Sequence, residues 1–185
     1  MCAAKISFPG FDAPATGFEV PLEMLSACHG RVERQCQTLL RLVPHVAANG
    51  PDQAAREAAQ NVMRYFDTSA RHHHADEEED LFPALLQSAS GTELAHLRDL
   101  IEALRAQHRE LEQAWGQLRW KLEGIWLGTK PNLDAEEVGR LVELYRSHIA
   151  REEEELLPLA ARLLGEAQLD AVGRAMRLRR GIKDV

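Results

Sequence analysis

Four stretches of this sequence carry apolar residues at alternating steps of three and four, and in each of them a histidine occupies a place in the apolar seam. The first runs Leu22, Leu25, His29, Val32, Cys36, Leu39, Val43, and the second Val62, Phe66, His73, Glu77, Leu81. The third runs Leu97, Ile101, Leu104, His108, Leu111, Trp115, Leu118, Leu122, Ile125, and the fourth Leu141, Tyr145, His148, Glu152, Leu156. Such steps return residues to one face of an α-helix, so each seam must be buried against other helices. With short connections and no strand signal, the expected fold is all-α: an antiparallel, up-down-up-down four-helix bundle.

The punctuation agrees with that expectation. Asn49-Gly50-Pro51 ends the first helix, Ser90-Gly91-Thr92-Glu93 reads as a capping box for the third, and Asp134 with Glu137 caps the fourth. Residues 1–20 mix Pro9, Gly10, Pro14 and Gly17 with Phe8, Phe11 and Phe18, which predicts an extended arm strapped along the body. The bundle occupies residues 21–165, and a short amphipathic helix from about Gln168 to Arg179 packs across one end. All 185 residues then belong to a single domain.

A net charge of -7 offers no footprint for a phosphate backbone, and Arg174, Arg177, Arg179 and Arg180 fall where cations complement the last helix dipole. No nucleic-acid partner is expected. No membrane is expected either, since no apolar run has spanning length and the first ten residues lack a leader pattern. Cys2, Cys28 and Cys36 form no CxxC pair, which suits a reducing, cytoplasmic compartment.

Within the second and fourth seams a longer pattern repeats: His73, Glu77, Leu81-Phe82-Pro83 and then His148, Glu152, Leu156-Leu157-Pro158. Residues i and i+4 of a helix stand one turn apart on the same face, so each copy aims an imidazole and a carboxylate at one point. His72, His73 and His74 each have an acid four residues on, but only His73 with Glu77 reproduces the spacing of the second copy. His72 and His74 become flanking residues that support the ligands from outside. Glu33 and Glu112 follow His29 and His108 by four but fall beside the seam, where exposed ion pairs are expected; His45 and His96 read as surface residues. Pro83 and Pro158, each six residues beyond its Glu, predict a kink past the site.

Topology tests whether these groups meet. His29 lies about 21 residues before the Gly50 turn and His73 about 23 after it, so helical rise puts them at one level. His73 and His108 lie about 17 and 18 residues either side of Ser90 and agree again, whereas His108 and His148 differ by about 9 Å, which the third loop must absorb. His29, His73, His108 and His148 thus converge with Glu77 and Glu152 in the core. Buried carboxylates are tolerated when paired or metal-bound, and an imidazole–carboxylate set without thiolate suits iron or manganese. Two bridging Glu and two His per metal describe a dinuclear centre. Two six-coordinate ions offer about twelve positions; these donors and a bridging oxo or hydroxo group fill all but about two.

These residues resemble the hemerythrin-like, HHE cation-binding family over about residues 21–165. Its repeated HxxxE with a following LFP-type segment is matched at His73, Glu77 and Leu81-Phe82-Pro83, then at His148, Glu152 and Leu156-Leu157-Pro158. Its unpaired first- and third-helix histidines correspond to His29 and His108. Oxygen-carrying members have a second His where this chain has Leu104, and an Asp five residues after the last His, where it has Glu153. The site pattern is closer to the di-iron branch of nitrosative stress and iron-centre repair, without that branch's Cys-containing amino-terminal domain. The resemblance implies two irons and a small diatomic ligand, dioxygen or nitric oxide, bound or sensed. The alternatives are turnover of peroxide or nitric oxide, with Tyr145 a possible donor one turn before His148, iron supply for repair, and metal storage or a structural bundle. The sequence names no protein partner.

Overall fold

The computed structural model describes residues 17–129 and 132–182, and the described residues hold five helices and no strand. The first, α1, spans Pro21–Asn49; α2 spans 53–88; α3 spans Gly91–Trp126; α4 spans 135–163; and α5 spans Glu166–Arg179. The first four form the expected antiparallel bundle. The arm expected at residues 1–20 falls outside the described residues as far as residue 16. None of the described helices is long and apolar enough to cross a membrane.

Local chemistry sets the helix ends. Pro21 opens α1 at a position where its missing N–H is no loss, and Gly50 at φ 70° takes the left-handed conformation that turns the chain toward α2. Asp52 caps α2 by accepting from the Ala55 N–H at 2.9 Å, and Asp134 caps α4 by accepting from Glu136 and Glu137. The capping box expected at Ser90 does not form: the Ser90 side chain caps nothing, and Glu93 pairs instead with Arg162 of α4. A cross-bundle guanidinium outcompetes a local backbone N–H for that carboxylate.

The core is divided in two by a polar layer. Beyond His29 and His148, toward the α1–α2 turn, Val32, Leu39, Leu42, Val62, Phe66, Leu111, Trp115, Leu118, Leu122 and Leu141 pack together. On the other side Leu25, Leu81, Phe82, Leu85, Leu97, Ile101, Leu104, Leu156 and Met176 form a second cluster. Between α3 and α4, Leu133 is buried in the first cluster.

The prolines act through wide turns. Phe82 N–H reaches back five residues to Glu77 O, and Leu157 N–H to Glu152 O, so π-helical segments Asp76–Leu81 and Glu152–Leu156 precede Pro83 and Pro158. A proline lacks a donor and its ring crowds the preceding carbonyls; a widened turn relieves both and lets the helix continue. The helix runs on past each proline through its wide turn, and each wide turn contains a ligand-candidate glutamate.

The basic end of α5 does more than complement a dipole. Asp76, fully buried, is held by Arg179 at 2.5 Å and by Arg180 at 2.6 Å, while Arg179 also reaches Glu79 and Asp80. These pairs fasten α5 to the turn that carries Glu77. Gly173 makes room on the same helix: a Cβ there would stand 2.0 Å from the Phe18 carbonyl oxygen, and Arg177 and Arg180 lie over the Phe18 ring.

Candidate metal centre

All six predicted donors meet in the polar layer, and each is buried to 3% exposure or less. Four imidazole Nε2 atoms point inward. His29 Nε2 stands 2.9 Å from Glu152 Oε2, His148 Nε2 3.0 Å from Glu152 Oε1, His108 Nε2 3.3 Å from Glu77 Oε2, and His73 Nε2 3.5 Å from Glu77 Oε1. Each carboxylate therefore turns one oxygen to the His29–His73 side and the other to the His108–His148 side. Donors bound side by side at about 2.1 Å from one ion lie roughly 3 Å apart, the spacing seen here.

Two sets of donors emerge, His29, His73, Glu77, Glu152 and Glu77, His108, His148, Glu152, with the two glutamates common to both. His74, read from sequence as a flanking residue, lies closer to the centre than that reading placed it. It is buried, its ring stacks on His108 with centroids 4.0 Å apart, and it groups with His108 and His148 as a third imidazole on that side. A signal existed: His74 is three residues before Glu77, and small, buried Ala70 lies four before His74, so the inward face of α2 is broad enough for both histidines.

The sequence reading also missed what aims the rings. His29 Nδ1 donates to Glu153 Oε1 at 2.6 Å, His108 Nδ1 donates to Glu78 Oε1 at 2.6 Å, and His148 Nδ1 faces Gln107 Oε1 at 3.3 Å. Each copy of the motif thus supplies two adjacent glutamates, the first facing the centre and the second reaching across the bundle to the seam histidine of another helix. Such outer bonds fix the tautomer that leaves Nε2 free for a metal. Alanine at Glu153 or Glu78 is expected to weaken metal affinity about 10- to 100-fold with little effect on helix content, as measured by metal-competition titration beside circular dichroism.

The remaining candidates separate cleanly. Glu33, Glu112 and His96 are exposed, and half-buried His45 pairs with Asp52 across the first turn. Leu104, one turn before His108, is fully buried in the apolar cluster. Tyr145 is buried with its ring 5.3 Å from that of Phe66 and forms part of a cavity of about 30 Å³ beside His74.

The electrostatics show why the donors fit a cation. Burial alone would lower the His29 pKa, yet the nearby charge of Glu152 and the bond to Glu153 raise it to about 9; burial is likewise overcome at His108 by Glu152, Glu77 and Glu78, to about 10. Burial and the neighbouring Glu152 charge push Glu77 up to about 8, while Glu152, despite burial, is held low by His148, His108 and His29. His73 is driven down by burial and by the charge on His29. Protons alone leave both oxygens of Glu77 and of Glu152 and the Nε2 atoms of His74, His108 and His148 without hydrogen-bond partners. Neutral imidazoles and ionised carboxylates around divalent cations resolve that conflict.

The family model for the hemerythrin HHE cation-binding domain matches residues 20–160 of this chain. The chain is also similar to an uncharacterized protein of Haemophilus influenzae, 33% identical over 164 residues that cover 89% of this chain and 92% of the relative.

Proposed function

This chain belongs to the hemerythrin HHE cation-binding family, and from that premise we propose that it is a non-haem di-iron protein that binds or senses a small diatomic ligand, dioxygen or nitric oxide. The observation that carries the reading is the division of Glu77 and Glu152, each with one oxygen toward either histidine group. One ion would be held by His29 and His73, the other by His74, His108 and His148, with both carboxylates shared. When loaded, the two irons supply an electron-rich centre for reversible binding of a diatomic molecule.

The chain's own groups do the rest. Glu153, Glu78 and Gln107 orient the imidazoles, and the Arg179–Asp76–Arg180 cluster anchors the turn that carries Glu77. His29 and His73 would offer one imidazole fewer than His74, His108 and His148, so a small ligand would find room on the His29–His73 side. The donors are too deeply buried for a larger substrate to reach without opening the bundle, which favours a ligand of a few atoms. Storage of many ions is disfavoured, because every His, Cys, Asp and Glu group of suitable spacing among the described residues belongs to this one site.

Protein loaded anaerobically with ferrous iron is expected to bind about two ions per chain and to change its visible spectrum on titration with nitric oxide or oxygen. An unchanged spectrum at that loading would sink the proposal. Continuous consumption of peroxide or nitric oxide over many equivalents would replace binding by turnover.

A further inference from the structure

A groove of about 630 Å³ runs between α1 and α4 on the side of the bundle away from α2 and α3 contacts, and nothing in the metal centre uses it. Its floor is apolar: Val32, Cys36 and Ile149 are buried and Val142 is half-buried. Its rim carries Arg34, Arg41 and Arg146, against the acids Glu33 on the rim and Glu143, which pairs with Arg146. In a chain of net charge -7, this is a locally cationic stretch.

Two further features make the groove a built site. Tyr145 lines it while only 5% exposed, and its hydroxyl has no hydrogen-bond partner among the described residues. Gly30 leaves one end open: a Cβ there would meet only Arg34 Nη1, at 3.7 Å, so the guanidinium lies across space that a side chain would otherwise fill. Arg34 lies five residues after His29 and Arg146 two before His148, so in antiparallel helices both stand on the same side of the metal layer.

We propose that this groove binds a small organic anion, a carboxylate on an apolar body. The volume falls within the range of small-molecule sites, roughly 300–1,000 Å³. Arg34 takes the carboxylate, since guanidinium donors match its geometry, and Arg146 joins it by releasing Glu143, which accepts from its Nε and Nη2 in the empty groove. The body lies along Val32, Cys36, Val142 and Ile149, and the Tyr145 hydroxyl at the floor offers one directional bond. Gly30 to Arg41 spans about 16 Å of helix, enough for a medium-length acyl chain or a pair of fused rings. The site is separate from the metal donors, so its failure and that of the di-iron reading are distinguishable.

Calorimetric titration of the metal-loaded full chain with octanoate, octanol and inorganic phosphate decides the matter. Octanoate is expected to bind at a single saturable site, at least about tenfold more tightly than octanol or phosphate. The Arg34→Gln, Arg146→Gln double variant should lose about tenfold or more in octanoate affinity while octanol affinity and metal content stay unchanged. Gly30→Leu should weaken octanoate and octanol alike by filling the open end. Equal affinity for octanoate and octanol, phosphate binding as tight as octanoate, no saturable octanoate binding, or wild-type octanoate affinity in the double variant would each overturn the proposal. The comparison of the three probes on the unmodified chain stands even if a variant folds poorly.

Discussion

A Glu152→Ala chain is expected to emerge from an iron-replete preparation with fewer than about one metal ion in place of about two. Glu152 offers Oε2 to the His29 side at 2.9 Å and Oε1 to the His148 side at 3.0 Å, so the substitution removes one donor from each ion at once. His73→Ala, by contrast, removes a donor from the His29 side alone and should leave about one ion, held by His74, His108 and His148 with the carboxylates. Glu152→Gln keeps the shape but offers at most a weakly donating amide oxygen, and should fail like the alanine variant. Elemental analysis of the three variants beside the parent measures this, and parental metal content in Glu152→Ala would disprove the shared-carboxylate centre.

Chelation should lower the melting temperature of the parent by about 10 °C. A ligand at about a thousand times its Kd stabilises the folded state by roughly 4 kcal/mol, and a chain of this size shifts by about 2–4 °C per kcal/mol. Without a cation, seven ionisable groups crowd one buried layer with unpartnered oxygens and nitrogens, which costs further stability. Helix content should survive, because the apolar clusters on either side of the layer do not depend on the metal. Thermal unfolding followed by circular dichroism, with and without chelator, tests both halves of the expectation. A melting temperature indifferent to chelation would mean that the layer is held by protons alone.

Much of the centre was legible because it is written in local periodicity. A histidine inside an apolar seam has its direction set by the helix it belongs to, and the His–Glu spacing of four sets a second group beside it. Counting residues from turns then brings His29, His73 and His108 to one level with no knowledge of packing. His74 was not legible in this way. Whether one or both of two adjacent histidines face the core depends on how far α2 is rotated and how wide its inward face is, and its neighbours decide that. Glu78 and Glu153 were hidden for a related reason: their partners are 30 and 124 residues away, on helices whose faces only packing brings opposite. The capping box at Ser90 failed from the opposite cause, a sound local signal overridden when Arg162 arrived from α4.

What the sequence determined by itself was the helical bundle, the four seam histidines and the pairing of His73 with Glu77 and His148 with Glu152, because these follow from 3.6 residues per turn within single helices. The tertiary structure decided the rest. It added the fifth imidazole, split each carboxylate between two sides, turned Glu78 and Glu153 into supports for rings on other helices, and locked α5 to Asp76. Those are relations between helices, set by rotation and level in the packed bundle rather than by spacing along any one of them.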